Sequence, residues 1–264
     1  MSFLVDLLRE PRLDALDVDA PERMSAHRSI LAKKTVLKNV FREFHYKMLD
    51  LDESYFNGVK GLRVELGAGV SPIRDTFPDV LATDVVDSEY LDRVVDAQNM
   101  DFKKGSIRAF FCQNCFHHFP DPKAFFSELQ RTLAPGGGVV LIEPYDGPAA
   151  SFIYKRLFRT EGFDKSYPSW EVPSSGPMNG ANQALSYIVF KRDRALFEKT
   201  FADLEIVYSK PLTNYLRYLL SGGLNFRPLI PNFMEKPMKL LEFLLIPLCD
   251  LFALHHVIVI RRKK

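Results

Sequence analysis

Three carboxylates, Glu65, Asp84 and Asp96, each sit at the end of a short apolar run. The first leads straight into the turn Gly67-Ala68-Gly69 within Val64–Pro72, "VELGAGVSP". Glycines at that spacing let a backbone turn tightly and come close to a ligand. Ser71 and Pro72 follow, residues favoured at an N-cap and a first helical position. A helix is therefore expected to begin where a dinucleotide site would carry its third glycine, and to be short because Pro78 follows. Further along come Cys112-Gln113-Asn114-Cys115, the pair His117–His118, and Glu143. An imidazole suits general-base work near neutral pH, which nominates His118 ahead of His117. Glu143, closing a strand, could orient or deprotonate an acceptor, or else bond the backbone amides of a neighbouring loop.

The cysteines beside two histidines invite a metal reading. A structural zinc site takes four ligands, usually with a second pair elsewhere, and Cys249 alone does not make one. A redox C-x-x-C belongs at a helix N-terminus, whereas this one ends a strand. No metal site is expected, and three cysteines make no disulfide framework.

Charge then selects the ligand. Open α/β sheets bind beyond the carboxyl ends of their strands, so three carboxylates would surround the pocket. Asp84 suits a ribose diol. Glu65 would lie near a dinucleotide's pyrophosphate, and like charges in a partly desolvated site repel. The pocket asks for a cation, and a cofactor carrying an ammonium and a sulfonium supplies one.

Positioning these residues requires a sheet. Strand candidates are 62–66, 80–84, 93–97, 107–113, 138–143, 204–209 and 256–261, with a helix over 122–133 opening at "PDPKAF" and stopping at "APGGG". Strands alternating with helices imply a parallel sheet covered on both faces. Residues 1–60 read as a helical cap with a buried stripe of Ile30, Leu37, Phe41, Phe44 and Met48, and with Arg28, Lys38 and Arg42 on its flank or solvated side. Residues 61–264 form the main domain, interrupted by long connections at 145–191 and 211–254. Connections of that length are usually lids or binding loops. Tyr145, Trp170, Glu171, Asn179 and Asn182 in the first are candidates to line an acceptor site.

The sequence resembles the class I S-adenosylmethionine-dependent methyltransferases of the type 11 family. "VELGAGVSP" is similar to the family's first motif, Thr83–Asp84 to its second, and "DAQNMDF" (Asp96–Phe102) to its adenine-contacting segment. Phe110–Pro144 is similar to its fourth and fifth strands with the helix between them. The matches run in order over about a third of the chain. The resemblance implies a Rossmann-like, doubly wound, mostly parallel seven-stranded sheet with its last strand antiparallel. It also implies S-adenosyl-L-methionine as cofactor. Glu65 would hold the methionyl ammonium through the turn Gly67, Ala68 and Gly69. Asp84, with Val85 beside it, would meet the ribose, Asp96 and Ala97 the adenine, and Gln113 and Asn114 the sulfonium end. A histidine pair at 117–118 also occurs in that family as a structural lead-in to a helix.

Composition bounds the rest. The 264 residues, 47% hydrophobic and 26% charged with a net charge of +2, suit a folded protein and give no reason to expect a nucleic-acid partner. The N-terminus lacks a basic leader, and Lys239–Leu254 falls short of the ~20 apolar residues of a membrane span, so a cytoplasmic protein is expected. The apolar 211–254 reads as a helical subdomain, or as a lid with peripheral membrane contact, where the closing "RRKK" could meet anionic lipid. The expected activity is methyl transfer to a small or lipid/glycan-linked acceptor, oxygen favoured over nitrogen. The alternative is a non-catalytic S-adenosylmethionine-binding regulator or scaffold.

Overall fold

The structure, a computed structural model, describes residues 7–13, 16–17, 21–157, 161–173, 176 and 181–264. The apolar runs build one sheet: β1 (Leu62–Leu66), β2 (Val80–Asp84), β3 (Arg93–Val94), β4 (Ile107–Gln113), β5 (Leu133–Pro144), β6 (Leu204–Pro211) and β7 (His255–Arg262). Their order is β3-β2-β1-β4-β5-β7-β6. β1 to β5 pair in parallel, and β7 runs antiparallel to both its neighbours. The order reverses between β1 and β4, and the crevice at a reversal is where such sheets hold ligands.

Around the sheet stand α1 (Pro21–Lys33), α2 (Thr35–Tyr55), α3 (Pro122–Thr132), α4 (Pro148–Leu157), α5 (Arg194–Thr200), α6 (Tyr215–Leu220) and α7 (Glu235–Leu244). The two-residue period of a strand divides the core in two. Phe110, Cys112, Val139 and Leu141 face Phe125, Phe126 and Leu129 of α3. Their neighbours Ala109, Phe111, Val140 and Ile142 face Phe41, Phe44 and Met48 of α2. α3 starts sharply because Pro122 needs no donor at the first position and Asp121 accepts from the amides of Lys123 and Ala124.

Five local expectations change. The helix after the glycine turn is one 3-10 turn, Ile73–Asp75, with Pro72 rather than Ser71 at its N-cap position. No full crossover helix covers the sheet there; α2 does so, and Phe41, Phe44 and Met48 share a cluster with Val70, Ile73 and Val80. Burying one such ring contributes about 1.5–3 kcal/mol. The segment expected as a cap is thus partly a layer of the sheet. β3 ends at Val94, and Asp96 stands in the turn beyond it, bridged to Asn99. "APGGG" belongs to β5, which starts directly after α3 and shifts register opposite Ile107/Ala109. Arg28 is not simply solvated, since it donates to Val70 O at 3.5 Å and lies over the Tyr90 ring at 3.7 Å.

The second connection is fastened through one buried guanidinium. Arg217 of α6 donates to Glu43 of α2 at 2.7 and 2.9 Å and to Glu242 of α7 at 2.6 Å. Glu242 therefore points inward while its neighbours Phe243 and Leu244 are 67% and 64% exposed. Among the described residues, no helix is long and apolar enough to cross a membrane.

Candidate active site

A cavity of about 640 Å³ lies beyond the ends of β1, β2 and β4. Glu65, Gly67, Ala68, Gly69, Asp84, Val85, Asp96, Ala97, Gln113 and Asn114 all line it. Strand ends bring them together from four separate segments. Thr83 braces the turn from the side, its hydroxyl donating to Glu65 O at 2.6 Å and its carbonyl accepting from Ala68 N at 2.9 Å.

Glu65 is buried, and its Oε2 accepts from Ile73 N at 2.6 Å. Burial drives its pKa well above the usual carboxylate range; the Ile73 amide opposes this, and Asp84 and Asp75 add to it. Asp84 accepts from Gly69 N at 3.0 Å and Val86 N at 3.1 Å, and burial raises its pKa despite those bonds. A cation would relieve both. Asp96 accepts from Gln98 N at 2.8 Å and stays exposed at the rim.

The opposite wall is strained and polar. Asn114 has φ of +50°, the one left-handed non-glycine among the described residues, and such strain gathers at ligand sites. Gln113 Oε1 and Asn114 Oδ1 are buried without a hydrogen-bond partner, which costs free energy unless a ligand donor arrives. Gly67, at φ +70°, leaves no room for a side chain: a Cβ there would stand 2.3 Å from Cys115 Sγ. Bare backbone on one wall, unpaired acceptors on the other and carboxylates between them suit a donor-rich cation.

A family model described as a methyltransferase domain matches residues 74–141, from the 3-10 turn through most of β5. The matched stretch, about a quarter of the chain, is a methyltransferase domain. Domains of this kind take their methyl group from S-adenosylmethionine. No curated protein sequence matches the chain. Among solved structures, the methyltransferase is similar to geranyl diphosphate C-methyltransferase from Streptomyces coelicolor, at 16% identity over 96% of this chain and 86% of that one, with a TM-score of 0.47. It is also similar to an S-adenosylmethionine-dependent methyltransferase from Archaeoglobus fulgidus, at 11% identity over 86% and 94%, TM-score 0.48. A third is phosphoethanolamine N-methyltransferase 2 from Haemonchus contortus, at 14% identity over 84% and 52%, TM-score 0.44. None of these likenesses bears on the acceptor.

Past the carboxylates and the glycine turn, the cavity runs on between α1, α4 and the second connection, lined by Met24, Ile153, Leu157, Leu219, Leu224 and Phe226. His118 lines it, as does His117. Glu143 does not. Its carboxylate is buried and accepts from the amides of Cys115, Phe116 and His117 and meets His117 Nδ1 at 2.6 Å. Four protein groups already engage both its oxygens, so in place of acceptor chemistry it holds the loop after β4 in shape.

That loop meets a residue that spacing alone did not reveal. Glu161 Oε2 lies 3.6 Å from His117 Nε2 and accepts from Gln183 Nε2 at 2.6 Å. Burial would lower the His117 pKa, but Glu143 and then Glu161 outweigh it and push it up to about 9. Burial likewise acts to raise Glu161, and His117 overrides it, bringing it down to about 2. Glu161 was hidden because it stands 43 positions after His118 in an irregular connection. Its only sequence signal was an acid in a long loop.

The acceptor residues expected in that connection lie elsewhere. Trp170 packs on Phe126 and donates to Asp193 at 2.9 Å, and exposed Glu171 pairs with Lys123 at 2.9 Å. Asn182 closes a loop onto Asp164, and the Tyr145 hydroxyl points to Asp250. None of these four lines the cavity, and Asn179 lies outside the described residues. Tyr154, Glu161 and Gln183 of the same connection line it instead.

Proposed function

We propose that this methyltransferase moves the methyl group of S-adenosylmethionine to a hydroxyl of a largely apolar, lipid-linked acceptor taken from a membrane surface. One observation carries the reading: a continuous cavity passes from the carboxylates of the donor site, past His117, His118 and Glu161, to apolar side chains of the second connection. An apolar tail would occupy the far end, and its polar head would reach the imidazoles. The methyl carbon and acceptor atom must be held in line at ~3–3.5 Å, and a cavity lined by both apolar side chains and imidazoles can align such a molecule. Oxygen is favoured over nitrogen because an alcohol must lose its proton, which calls for the titratable group that surrounds His118, whereas a neutral amine attacks unaided.

The outer face of the second connection supports the membrane part. α7 turns Glu242 inward and presents Leu240, Phe243 and Leu244, while Phe233 just before it is 78% exposed. Lys236 and Lys239 stand on the same helix. An exposed apolar patch on a helix that also carries lysines suits an anionic bilayer surface, although Lys239 also pairs with Glu43 at 3.0 Å. The test incubates the full-length protein with donor labelled in its methyl group and total lipid extract, then partitions the products. Label in the organic phase that survives both mild acid and mild alkali, as a methyl ether does, is expected. Label that reaches only water-soluble small molecules refutes the reading.

A further inference from the structure

We propose that His117, His118 and Glu161 form a binding site for one divalent transition-metal ion, facing the cavity beside the methyl-donor site. The inference rests on the methyltransferase reading only for its purpose; the site itself stands on geometry. One ligand atom from each residue lies within 4.8 Å of the other two, and His117 Nε2 is 3.6 Å from Glu161 Oε2. Nitrogen and oxygen ligands at about 2.0–2.2 Å from a zinc-like ion stand roughly 3–3.5 Å apart. Side-chain rotation of about an ångström closes the set.

The surroundings are those of a metal site rather than of a chance cluster. A ligating histidine nearly always gives its other ring nitrogen to a carboxylate, which fixes the tautomer and turns the free lone pair toward the ion. Glu143 does this at His117 Nδ1, at 2.6 Å, and is itself pinned by three amides of the same loop. Gln183 steadies Glu161 from behind at 2.6 Å. The His118 ring lies against the His117 ring with centroids 4.3 Å apart, so both imidazoles present from one loop. Two imidazoles and one carboxylate make three protein ligands, the pattern that leaves further positions open for water or substrate. All three residues line the cavity, so an acceptor oxygen is the expected occupant.

The experiment uses full-length, untagged protein stripped with chelator, then titrated with Zn²⁺ and Co²⁺ by calorimetry and by visible absorption of the cobalt form. S-adenosylhomocysteine binding is measured on the same samples. One ion per chain is expected, with Co²⁺ bands of nitrogen–oxygen coordination. Glu161→Gln and His118→Ala should each weaken the ion by roughly tenfold or more and leave S-adenosylhomocysteine binding within about twofold. Failure to bind either ion, or equal binding by both variants, overturns the metal site while the methyltransferase reading stands. Loss of S-adenosylhomocysteine binding in the unmodified protein overturns that reading instead, and ion binding is scored separately.

Discussion

Replacing Gly67 by alanine tests the donor site where its geometry is tightest. The new Cβ would lie 2.3 Å from Cys115 Sγ and 2.9 Å from Cys115 Cβ, with the backbone at φ +70°. The left-handed backbone alone costs an L-residue ~1–2 kcal/mol. Overpacking a filled site adds ~1–3 kcal/mol. The backbone carrying the Cys115 Cβ cannot retreat cheaply, because Glu143 holds its amide at 2.9 Å and the next one at 2.9 Å. Gly67→Ala should therefore lose ~2–5 kcal/mol of stability, read as the midpoint of denaturant unfolding. Adding Cys115→Ala removes the shorter contact. The double variant should recover about 1–2 kcal/mol of that loss, a coupling typical of touching residues. S-adenosylhomocysteine affinity, measured by calorimetry, should fall in the single variant and stay low in the double, because the added methyl still crowds the backbone the cofactor must approach. A single variant within ~0.5 kcal/mol of the parent, with unchanged affinity, would refute the claim that bare backbone at Gly67 shapes the pocket.

Two further outcomes follow from the charges. Burial raises the Glu65 pKa, so the cofactor-free protein keeps that proton to higher pH than an exposed glutamate would. A bound ammonium lowers the pKa again, so binding expels a proton and affinity climbs with pH until Glu65 ionises by itself. Calorimetry in buffers of different ionisation heat should show net proton release, and a heat independent of buffer contradicts it. Arg217→Met strands Glu242 in the interior and should cost about 3–5 kcal/mol, most of it regained in Arg217→Met/Glu242→Leu, where neither charge remains. Unfolding midpoints of the two variants decide; a double variant as weak as the single would show that the ion pair is not what fastens the connection. At the surface, Phe243→Ser with Leu244→Ser should abolish flotation with anionic liposomes at low salt and leave cofactor binding intact, and undiminished flotation would place the membrane contact elsewhere.

Much of the candidate site was legible in the order of residues, for a local reason. An acid, a Gly-x-Gly turn and a second acid at the next strand end are positioned by their own strands. Once the strands pair in parallel, Glu65, Gly67, Asp84 and Gln113 must converge at one edge. β1, β2 and β4 likewise have the bounds that their apolar runs predict. Residues whose role is set by a distant partner could not be read this way. Glu143 carries the same side chain whether it faces an acceptor or a loop, and only the turn of Cys115–His117 back over β5 decided for the loop. Glu161 became part of the site because folding carried it across to His117. Trp170 and Asn182 found partners within protein at Asp193 and Asp164 rather than in the cavity. Period and spacing act over a few residues, so the sequence alone could determine the sheet, the glycine turn and the carboxylates at the strand ends. Which side chains share a cavity depends on long-range packing, and that was settled only when α2 and the two connections closed over the strand ends.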